Sequence, residues 1–450
     1  MSDETPFHLK GNFAPVKDEV TAIDLEVIGS IPPEIMGVYA RNSANPVTGE
    51  SEHWFLGNGM VHGVRLDGGQ AKWYRNRYVD TPFYRDPTIE RISNTGQVDY
   101  TIAAANTHVI QHGRKIMALE EGAYPYILDG ELNTVGHHDF DGQLKGPMTA
   151  HPKICPKTGE MLMFSYGQLP PYFVVHRVSP DGKLVQSEEI TVNGPTMHHD
   201  FAMTENYTIV MDLPVIFDLQ LAIQGTMPFH WSDEYPARMG LIPRTGGNDQ
   251  VKWFEVDPCF VFHGLNAYED GDDVVFDVCR ISEIWREGSD LSSNQGEQTL
   301  HRFTFNTKAG TTSEQTLDDR SMDFPRVPDA SVGQKHRFGY TVALGDVDGG
   351  DGLPGFSGVL KTNFQDGTSE LANFGPGRNP SEVVFVPAKG SDPTSDEGYV
   401  MGYVHDEGTT KTELVILDAT KFEGEPVARI KLPQRVPYGF HGSWMPDHGA

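Results

Sequence analysis

The stretch TMHHDFAMTENYTIVMDLP, residues 196–214, joins two adjacent histidines and an Asp-Phe pair to a run of apolar and β-branched residues. The run ends at Pro214, and this composition is typical of a short strand. His198 and His199 therefore stand at the beginning of a strand-bearing segment. Because neighbouring side chains of a strand point to opposite faces, we expect only one of the two histidines to face a shared site.

Runs of the same kind recur along the whole chain, each bounded by Gly, Asp, Asn or Pro. The clearest cover 59–79, 107–122, 160–167, 206–214, 272–280 and 412–419. The 48 glycines and 31 prolines favour many short strands joined by turns over long helices. No fixed-period WD or kelch repeat is visible, but so many strands over 450 residues favour a β-propeller over a single sandwich. No linker divides the chain, so we predict one all-β domain over 1–450.

Charge and composition exclude several classes of protein. The chain carries a formal net charge of -28, which would repel nucleic acid and anionic lipid. The first residues lack the basic and apolar regions of a signal peptide, and no apolar run is long enough to span a membrane, so we predict a cytoplasmic protein. Cys155, Cys259 and Cys279 have no CxxC spacing, which argues against a disulfide framework and a thiolate metal site. Nitrogen and oxygen remain as candidate ligand atoms.

Four of the 18 histidines share a local context. Each lies at the edge of a strand-like segment, beside a small residue, a proline or an aspartate: His151, His199, His263 and His441. Taken singly, each is more often a structural histidine than a metal ligand. Residues so far apart could converge only if the chain circles an axis and different blades each supply one ligand.

Ten segments in the same order resemble the carotenoid cleavage oxygenases, a family of iron-dependent alkene-cleaving enzymes. They lie at 37–46, 57–66, 105–128, 149–167, 197–214, 261–280, 323–340, 381–388, 413–419 and 439–444. The resemblance implies a seven-bladed β-propeller with a dome of loops and short helices over one face. It also implies a ferrous ion on the axis, held by four histidines.

The metal ligands implied by the resemblance are His151, His199, His263 and His441. The second family motif reads Met-His-Asp-Phe, with the ligand directly before the aspartate, so His199 takes the ligand position and His198 is its neighbour. Imidazole suits Fe, Zn, Cu or Ni alike, and the assignment of Fe(II) therefore rests on the resemblance.

The family also supplies three carboxylates that hold the ligand histidines, matched here by Glu121, Asp323 and Glu382. Each ligating ring needs an acceptor for its other N–H. Asp323 stands where the family has glutamate and is one methylene shorter, so we expect it to reach its histidine through a backbone shift or a water. Thr107 matches a position whose side chain crowds one coordination site and leaves a single site for dioxygen.

The implied reaction is oxidative cleavage of a C=C double bond by O2. The alkene supplies all four electrons if both oxygen atoms end in carbonyl products, so neither flavin nor nicotinamide is required. In agreement, the chain has no usable GxGxxG or Walker motif. A calcium-dependent propeller lactonase would need oxygen ligands instead of imidazoles, and a binding scaffold would need no such histidines. Within the family, isomerohydrolase activity is a further alternative.

The substrate class that we expect for this chain depends on the residue before Glu121. Members that cleave phenolic stilbenes and phenylpropenoids usually have a lysine there, whereas this chain has Glu120, whose charge would oppose a phenolate. We therefore expect a carotenoid or apocarotenoid, with a stilbenoid or vinylphenol-type alkene as the alternative.

The apolar stretch 215–231 is either a short helix covering the core, or a substrate entrance with possible peripheral membrane contact. The candidate residues there are Phe217, Leu221, Met227, Phe229 and Trp231. For the oligomeric state, we expect a monomer or a dimer.

Overall fold

The computed structural model describes residues 5–224, 226–286, 296–346 and 354–447. Within these ranges the α-helices are short, namely α1 (Pro82–Arg85) and α2 (Leu219–Ile223). Three-residue 3-10 helices occur at Phe7–Leu9, Gly11–Phe13, Asn248–Gln250, Asp329–Ser331 and Ala419–Lys421. None of the helices in the described ranges has the length and apolar character needed to cross a bilayer.

Strands make up the rest of the regular structure. In chain order they are β1 (Thr21–Ile23), β2 (Val27–Gly29), β3 (Gly37–Ala44), β4 (Gly59–Asp67), β5 (Gln70–Tyr78), β6 (His108–His112), β7 (Lys115–Leu119), β8 (Tyr126–Leu128), β9 (Thr134–His137), β10 (Lys153–Ile154), β11 (Met161–Tyr166), β12 (Phe173–Val178), β13 (Leu184–Glu189), β14 (Ala202–Met203), β15 (Tyr207–Asp212), β16 (Val215–Phe217) and β17 (Phe229–Trp231). They continue with β18 (Arg238–Pro243), β19 (Lys252–Glu255), β20 (Phe260–Asp270), β21 (Asp273–Ile281), β22 (Gln298–Asn306), β23 (Thr311–Asp318), β24 (Met322–Arg326), β25 (Phe338–Asp346), β26 (Pro354–Asn363), β27 (Thr368–Ala372), β28 (Arg378–Pro380), β29 (Val384–Pro387), β30 (Gly398–Asp406), β31 (Lys411–Asp418), β32 (Ala428–Lys431) and β33 (Gly442–Pro446).

These strands form seven sheets of at least four strands and one small ribbon. The sheet orders are β1-β5-β4-β3-β33, β6-β7-β8-β9, β10-β11-β12-β13, β14-β15-β18-β19, β20-β21-β22-β23, β24-β25-β26-β27 and β2-β32-β31-β30-β28, with β29 also paired to β30. The ribbon is β16-β17. Seven successive sheets of this kind are the arrangement of a seven-bladed β-propeller, which confirms the predicted fold class. The predicted dome over one face stays a prediction.

Compact packing divides the chain into two units. The first comprises Met1–Ala150, Gly345–Lys361 and Ser369–Ala450, and the second comprises His151–Leu344 and Thr362–Thr368. Within the first unit the two ends of the chain share sheets, because β33 pairs with β3 and β2 pairs with β32. The single-domain organisation over 1–450 stays a prediction.

Apolar packing fixes the strands that carry candidate site residues. In the second unit one core cluster contains Cys155, Phe164, Phe173 and Phe201, all at most 2% exposed. Phe164 and Phe201 meet edge to face with ring centroids 5.3 Å apart, an arrangement that aromatic pairs prefer. Phe201 stands two residues after His199, so burial of this ring holds the segment that carries the histidine.

Candidate metal centre

Each of the four candidate histidines lies within a strand at the end of its sheet or one to three residues before such a strand. His151 precedes β10, His199 precedes β14, His263 lies within β20 and His441 directly precedes β33. All four are buried, with exposures of 4–8%. Four different sheets therefore each carry an imidazole in or shortly before an end strand, in line with the strand-edge context of these histidines in the sequence.

The imidazoles converge. The Nε2 atoms of His151 and His199 are 3.0 Å apart, and those of His199 and His263 are 3.3 Å apart. One nitrogen from each of these rings and one from His441 all lie within 4.8 Å of one another. The structure thus brings together all four histidines that the sequence singled out.

A carboxylate holds the outer nitrogen of His263. Its Nδ1–H donates to Asp323 Oδ1 over 2.7 Å, and the same oxygen accepts the Phe324 N–H over 2.7 Å. Burial works against the charge of Asp323, but His263 and the Phe324 N–H outweigh it, and the pKa of Asp323 lies below its ordinary value. The aspartate makes this contact directly, so the water that we considered is not needed.

The backbone around Asp323 is irregular in a way that suits the shorter side chain. The pairing of β24 with β25 shifts register between Asp323 and Arg326, and Phe324 has a left-handed backbone with φ 53°. Bulges of this kind re-aim side chains near functional sites. The bulge accompanies the direct contact, in line with the expected backbone shift.

A second carboxylate holds His441. The Nδ1–H of His441 donates to Glu382 Oε1 over 2.9 Å, while Gly442 N–H donates to Glu382 Oε2 over 2.8 Å. Any side chain at Gly442 would collide with the Ala40 carbonyl oxygen, which lies 2.6 Å from the position of a Cβ atom. Glycine is therefore required for this close approach, and it exposes the N–H that fixes the carboxylate.

Asp200 connects three of the segments that carry the candidate histidines, and the sequence reasoning missed it. Its Oδ1 pairs with Lys153 Nζ at 2.7 Å and accepts the Phe201 N–H, while its Oδ2 accepts the Gly264 N–H over 2.9 Å. Lys153 follows His151 by two residues, Asp200 follows His199 and Gly264 follows His263. The aspartate of the His-Asp-Phe motif was the available signal, but its partners become visible only in the fold.

His198 has a different environment from His199. Its Nε2 lies 3.0 Å from Thr196 Oγ1, and its ring packs against Phe173 at 4.5 Å and Tyr166 at 5.9 Å. Burial lowers the pKa of His198 to about 4, so the ring is neutral at pH 7. The side chains of His198 and His199 therefore have different surroundings, as predicted, although both residues lie in an irregular segment before β14 and not in a strand.

Thr107 lies just before strand β6, and Glu121 lies just after strand β7, which pairs with β6. Thr107 precedes β6, is half-buried, and donates from Oγ1 to Asn106 Oδ1 over 3.0 Å, while its carbonyl oxygen accepts the His441 N–H. Glu121 follows β7 by two residues and is also half-buried. The roles expected for these two side chains stay predictions.

Glu120 has a structural environment that the sequence reasoning did not foresee. Its Oε1 pairs with the Arg91 guanidinium, and its Oε2 accepts the N–H groups of Ala104 and Ala105 over 2.6 and 3.3 Å. The side chain is 8% exposed. The Arg91 guanidinium offsets the charge of Glu120, which weakens the expected opposition to a phenolate; the choice between substrate classes stays a prediction.

The donor set fits a divalent transition metal. Two ligands held about 2.1 Å from one ion at a right angle stand about 3 Å apart, close to the Nε2 separations of 3.0 and 3.3 Å. The carboxylates on Nδ1 of His263 and His441 fix the tautomer that leaves each Nε2 lone pair available. Burial raises the pKa of the neighbouring Cys279 well above its ordinary value, and Asp323 adds to the rise, so this thiol stays protonated.

Comparisons with known proteins agree with this geometry. The family model described as Retinal pigment epithelial membrane protein matches residues 13–446. A carotenoid cleavage oxygenase of Mycobacterium tuberculosis is 38% identical, covering 98% of this chain and 97% of the relative. A carotenoid 9,10(9',10')-cleavage dioxygenase of Pisum sativum is 36% identical over 98% of this chain and 90% of the relative. The crystal structure of Pseudomonas brassicacearum lignostilbene dioxygenase has TM-score 0.88 and 29% identity, covering 98% of both chains. The chain therefore belongs to the carotenoid cleavage oxygenase family, and it is an enzyme.

Proposed function

We propose that this enzyme is a non-haem Fe(II) dioxygenase that cleaves a C=C double bond of a carotenoid or apocarotenoid with O2 to give two carbonyl products. The observation that carries the proposal is the buried cluster of His151, His199, His263 and His441. Four neutral imidazoles suit Fe(II) among other first-row metals, and membership of this family favours iron.

Each group of residues has a part in the proposed reaction. The four histidines would hold the iron, which supplies the capacity to bind and activate O2 beside the alkene. Asp323 and Glu382 keep His263 and His441 oriented through hydrogen bonds of 2.7 and 2.9 Å. We propose Glu121 as the third such carboxylate and Thr107 as the side chain that restricts access to one coordination position.

The electron balance of the reaction requires no further cofactor. The C=C bond breaks, both atoms of O2 form the two new C=O bonds, and the alkene supplies all four electrons. No proton has to be gained or lost overall, so the protein needs no obligatory acid or base. The task of the chain is then to place the alkene and O2 together in a site that excludes water, which is how positioning accelerates a reaction.

A second candidate substrate class is the stilbenoid or vinylphenol-type alkene, cleaved to aromatic aldehydes. Two observations favour it. The lignostilbene dioxygenase has TM-score 0.88 to this chain, and the carboxylate of Glu120 is occupied by Arg91 and two backbone N–H groups. The carotenoid class remains our first proposal because the relatives in Mycobacterium tuberculosis and Pisum sativum, at 38% and 36% identity, are named for carotenoid cleavage.

The test is incubation of iron-loaded protein with a panel of apocarotenoids, carotenoids, stilbenes and vinylphenols under 18O2. We expect one label in each of two carbonyl products from an apocarotenoid or carotenoid. Cleavage of phenolic alkenes alone would select the alternative substrate class. An isomerised alcohol that carries no 18O would have taken its oxygen from water and would indicate isomerohydrolase activity, and no turnover of any alkene would contradict the proposed function.

We also propose a cytoplasmic location, as a monomer or dimer, and peripheral membrane contact through 215–231. In that segment Leu219 and Ile223 of α2 are 61% and 69% exposed, whereas Phe229 and Trp231 are buried in the β16-β17 ribbon. Gly225 lies outside the described residues. Co-sedimentation with neutral lipid vesicles, lost when Leu219 and Ile223 are both changed to serine, would support the contact.

A further inference from the structure

His108, the first residue of β6, is a buried histidine that is not one of the four candidate ligands. It is 6% exposed, and the residues of β6 that share its face, Ile110 and His112, are buried as well. An apolar side chain would fill this position without the cost of burying a polar ring. Because buried polar groups are hydrogen-bonded, the imidazole is expected to have specific partners.

Both ring nitrogens of His108 have such partners. Its Nδ1 lies 2.8 Å from the Ala150 carbonyl oxygen, and its Nε2 lies 3.3 Å from Ser443 Oγ. A carbonyl oxygen only accepts hydrogen bonds, so Nδ1 carries the proton and Nε2 accepts from the serine hydroxyl. The two contacts thus fix one neutral tautomer and use its single donor and its single acceptor.

The two partners belong to segments that carry proposed metal ligands. Ala150 directly precedes His151, and Ser443 follows His441 by two residues. The His108 ring also meets the His441 ring edge to face, with centroids 5.4 Å apart. Since aromatic pairs prefer this arrangement, the contact opposes rotation of the His441 ring.

The backbone of His108 is fixed as well. Its carbonyl oxygen accepts a hydrogen bond from Asn42 Nδ2 over 3.2 Å, and Asn42 is 0% exposed. The carbonyl oxygen of the preceding residue, Thr107, accepts the His441 N–H over 3.0 Å. A rigid ring on a fixed strand can hold two segments at a constant spacing, and functional sites need their groups within roughly 0.5 Å of the required position.

We propose that His108 is a positioning residue of the metal centre, which holds the segments of His151 and His441 at the spacing that one metal ion requires. The inference rests on the metal site of the proposed function and deepens it. His108 acts without binding the ion, because its two nitrogens are engaged by Ala150 and Ser443.

The test measures the affinity for Co(II) and the absorption of bound Co(II) in variants of His108. Metal-free protein is titrated with Co(II) against a competing chelator, and the d–d bands of the bound ion report the ligand geometry independently of turnover. His108→Leu fills the position and removes both hydrogen bonds, whereas His108→Asn places an amide N–H near the position of Nδ1. We expect His108→Leu to weaken Co(II) binding by about 10-fold or more and to shift the d–d bands, and His108→Asn to stay within about 3-fold of wild type.

The matched control is His176→Leu. His176 in β12 is also 6% exposed and also bridges two groups, with Ser165 Oγ 2.9 Å from Nε2 and Ser187 Oγ 2.8 Å from Nδ1. Its strand is the third of its sheet, counted from β10. We expect His176→Leu to leave the Co(II) affinity within about 2-fold of wild type and the d–d bands unchanged, whatever its effect on the urea midpoint of the metal-free protein.

If His108→Leu fails to fold, Ser443→Ala takes its place. This change removes the hydroxyl at Nε2 and should weaken Co(II) binding by about 3-fold with a shift of the same bands. Co(II) affinity and bands that His108→Leu, or Ser443→Ala in its place, leaves unchanged would overturn the inference.

Equal weakening by His108→Leu and His176→Leu would also overturn it, as would equal weakening by His108→Leu and His108→Asn. A wild type that binds Co(II) but cleaves no alkene when loaded with iron would contradict the proposed dioxygenase instead, and the affinity comparison would still decide the role of His108.

Discussion

Replacing Asp200 should disorder the metal centre although Asp200 is not itself a proposed ligand. Asp200 is 3% exposed and accepts from Lys153, Phe201 and Gly264. Removing one partner of a buried ion pair costs roughly 3–5 kcal/mol, since the other charge stays buried and unpaired. The Lys153 side chain is 21% exposed and can turn towards water, so we expect the lower end, about 3 kcal/mol, for Asp200→Ala.

The same change should weaken metal binding. Asp200 joins the segments of three proposed ligands, and loss of a residue that positions ligands lowers metal affinity by roughly 10–100-fold. The assay is chelator competition for the metal, together with urea unfolding of the metal-free protein. Asp200→Asn keeps one acceptor oxygen without the charge and should fall between wild type and Asp200→Ala.

A matched control is Glu205→Gln. Glu205 pairs with Lys157 at 2.8 Å, nearly the Asp200–Lys153 distance, but its side chain is 54% exposed. Exposed pairs contribute roughly 0–1 kcal/mol, so neither stability nor metal affinity should change measurably. If Asp200→Ala binds metal as tightly as Glu205→Gln does, the proposed positioning role is wrong, whatever the effect on stability.

Three further predictions follow from the site and its surroundings. His199→Ala should abolish stoichiometric metal binding in the chelator assay, whereas His198→Ala should keep the metal and lose about 2–4 kcal/mol of stability from its buried ring. Asp323→Ala should lower metal affinity by roughly 10–100-fold, and Asp323→Asn by less, because the amide oxygen still accepts from His263; equal losses would contradict this reading. Burial lowers the pKa of His176 from 6.5 to about 4, so the unfolded chain takes up the proton first. The stability that neutral His176 contributes should therefore fall by roughly 3 kcal/mol as the pH drops from 6.5 to 4, and His176→Gln should lessen the decline of the urea midpoints across this range by that contribution.

The strands could be predicted because they depend on local signals, whereas the convergence of the four histidines was predicted from the resemblance to the family. Short apolar runs bounded by turn residues mark strands such as β15 and β21, and the residues around each histidine place it at a strand edge. The choice of His199 over His198 also followed from local context, since the aspartate and phenylalanine after it match the family motif.

Contacts between distant segments could not be predicted in this way. The direct reach of Asp323 to His263 accompanies a bulge in β24, which no residue type announces. The Asp200–Lys153 pair exists because two sheets place their end strands near each other. The ion pair of Glu120 was not foreseen because its partner Arg91 lies in an irregular loop, and the order of residues does not reveal which side chain such a loop brings inward.

X-ray absorption of iron-loaded protein would show whether the four histidines bind one ion. We expect one iron per chain with four imidazole nitrogens at about 2.1 Å, and a loss of imidazole scattering in His199→Ala. Iron bound mainly by oxygen atoms, or a spectrum that His199→Ala leaves unchanged, would contradict this expectation.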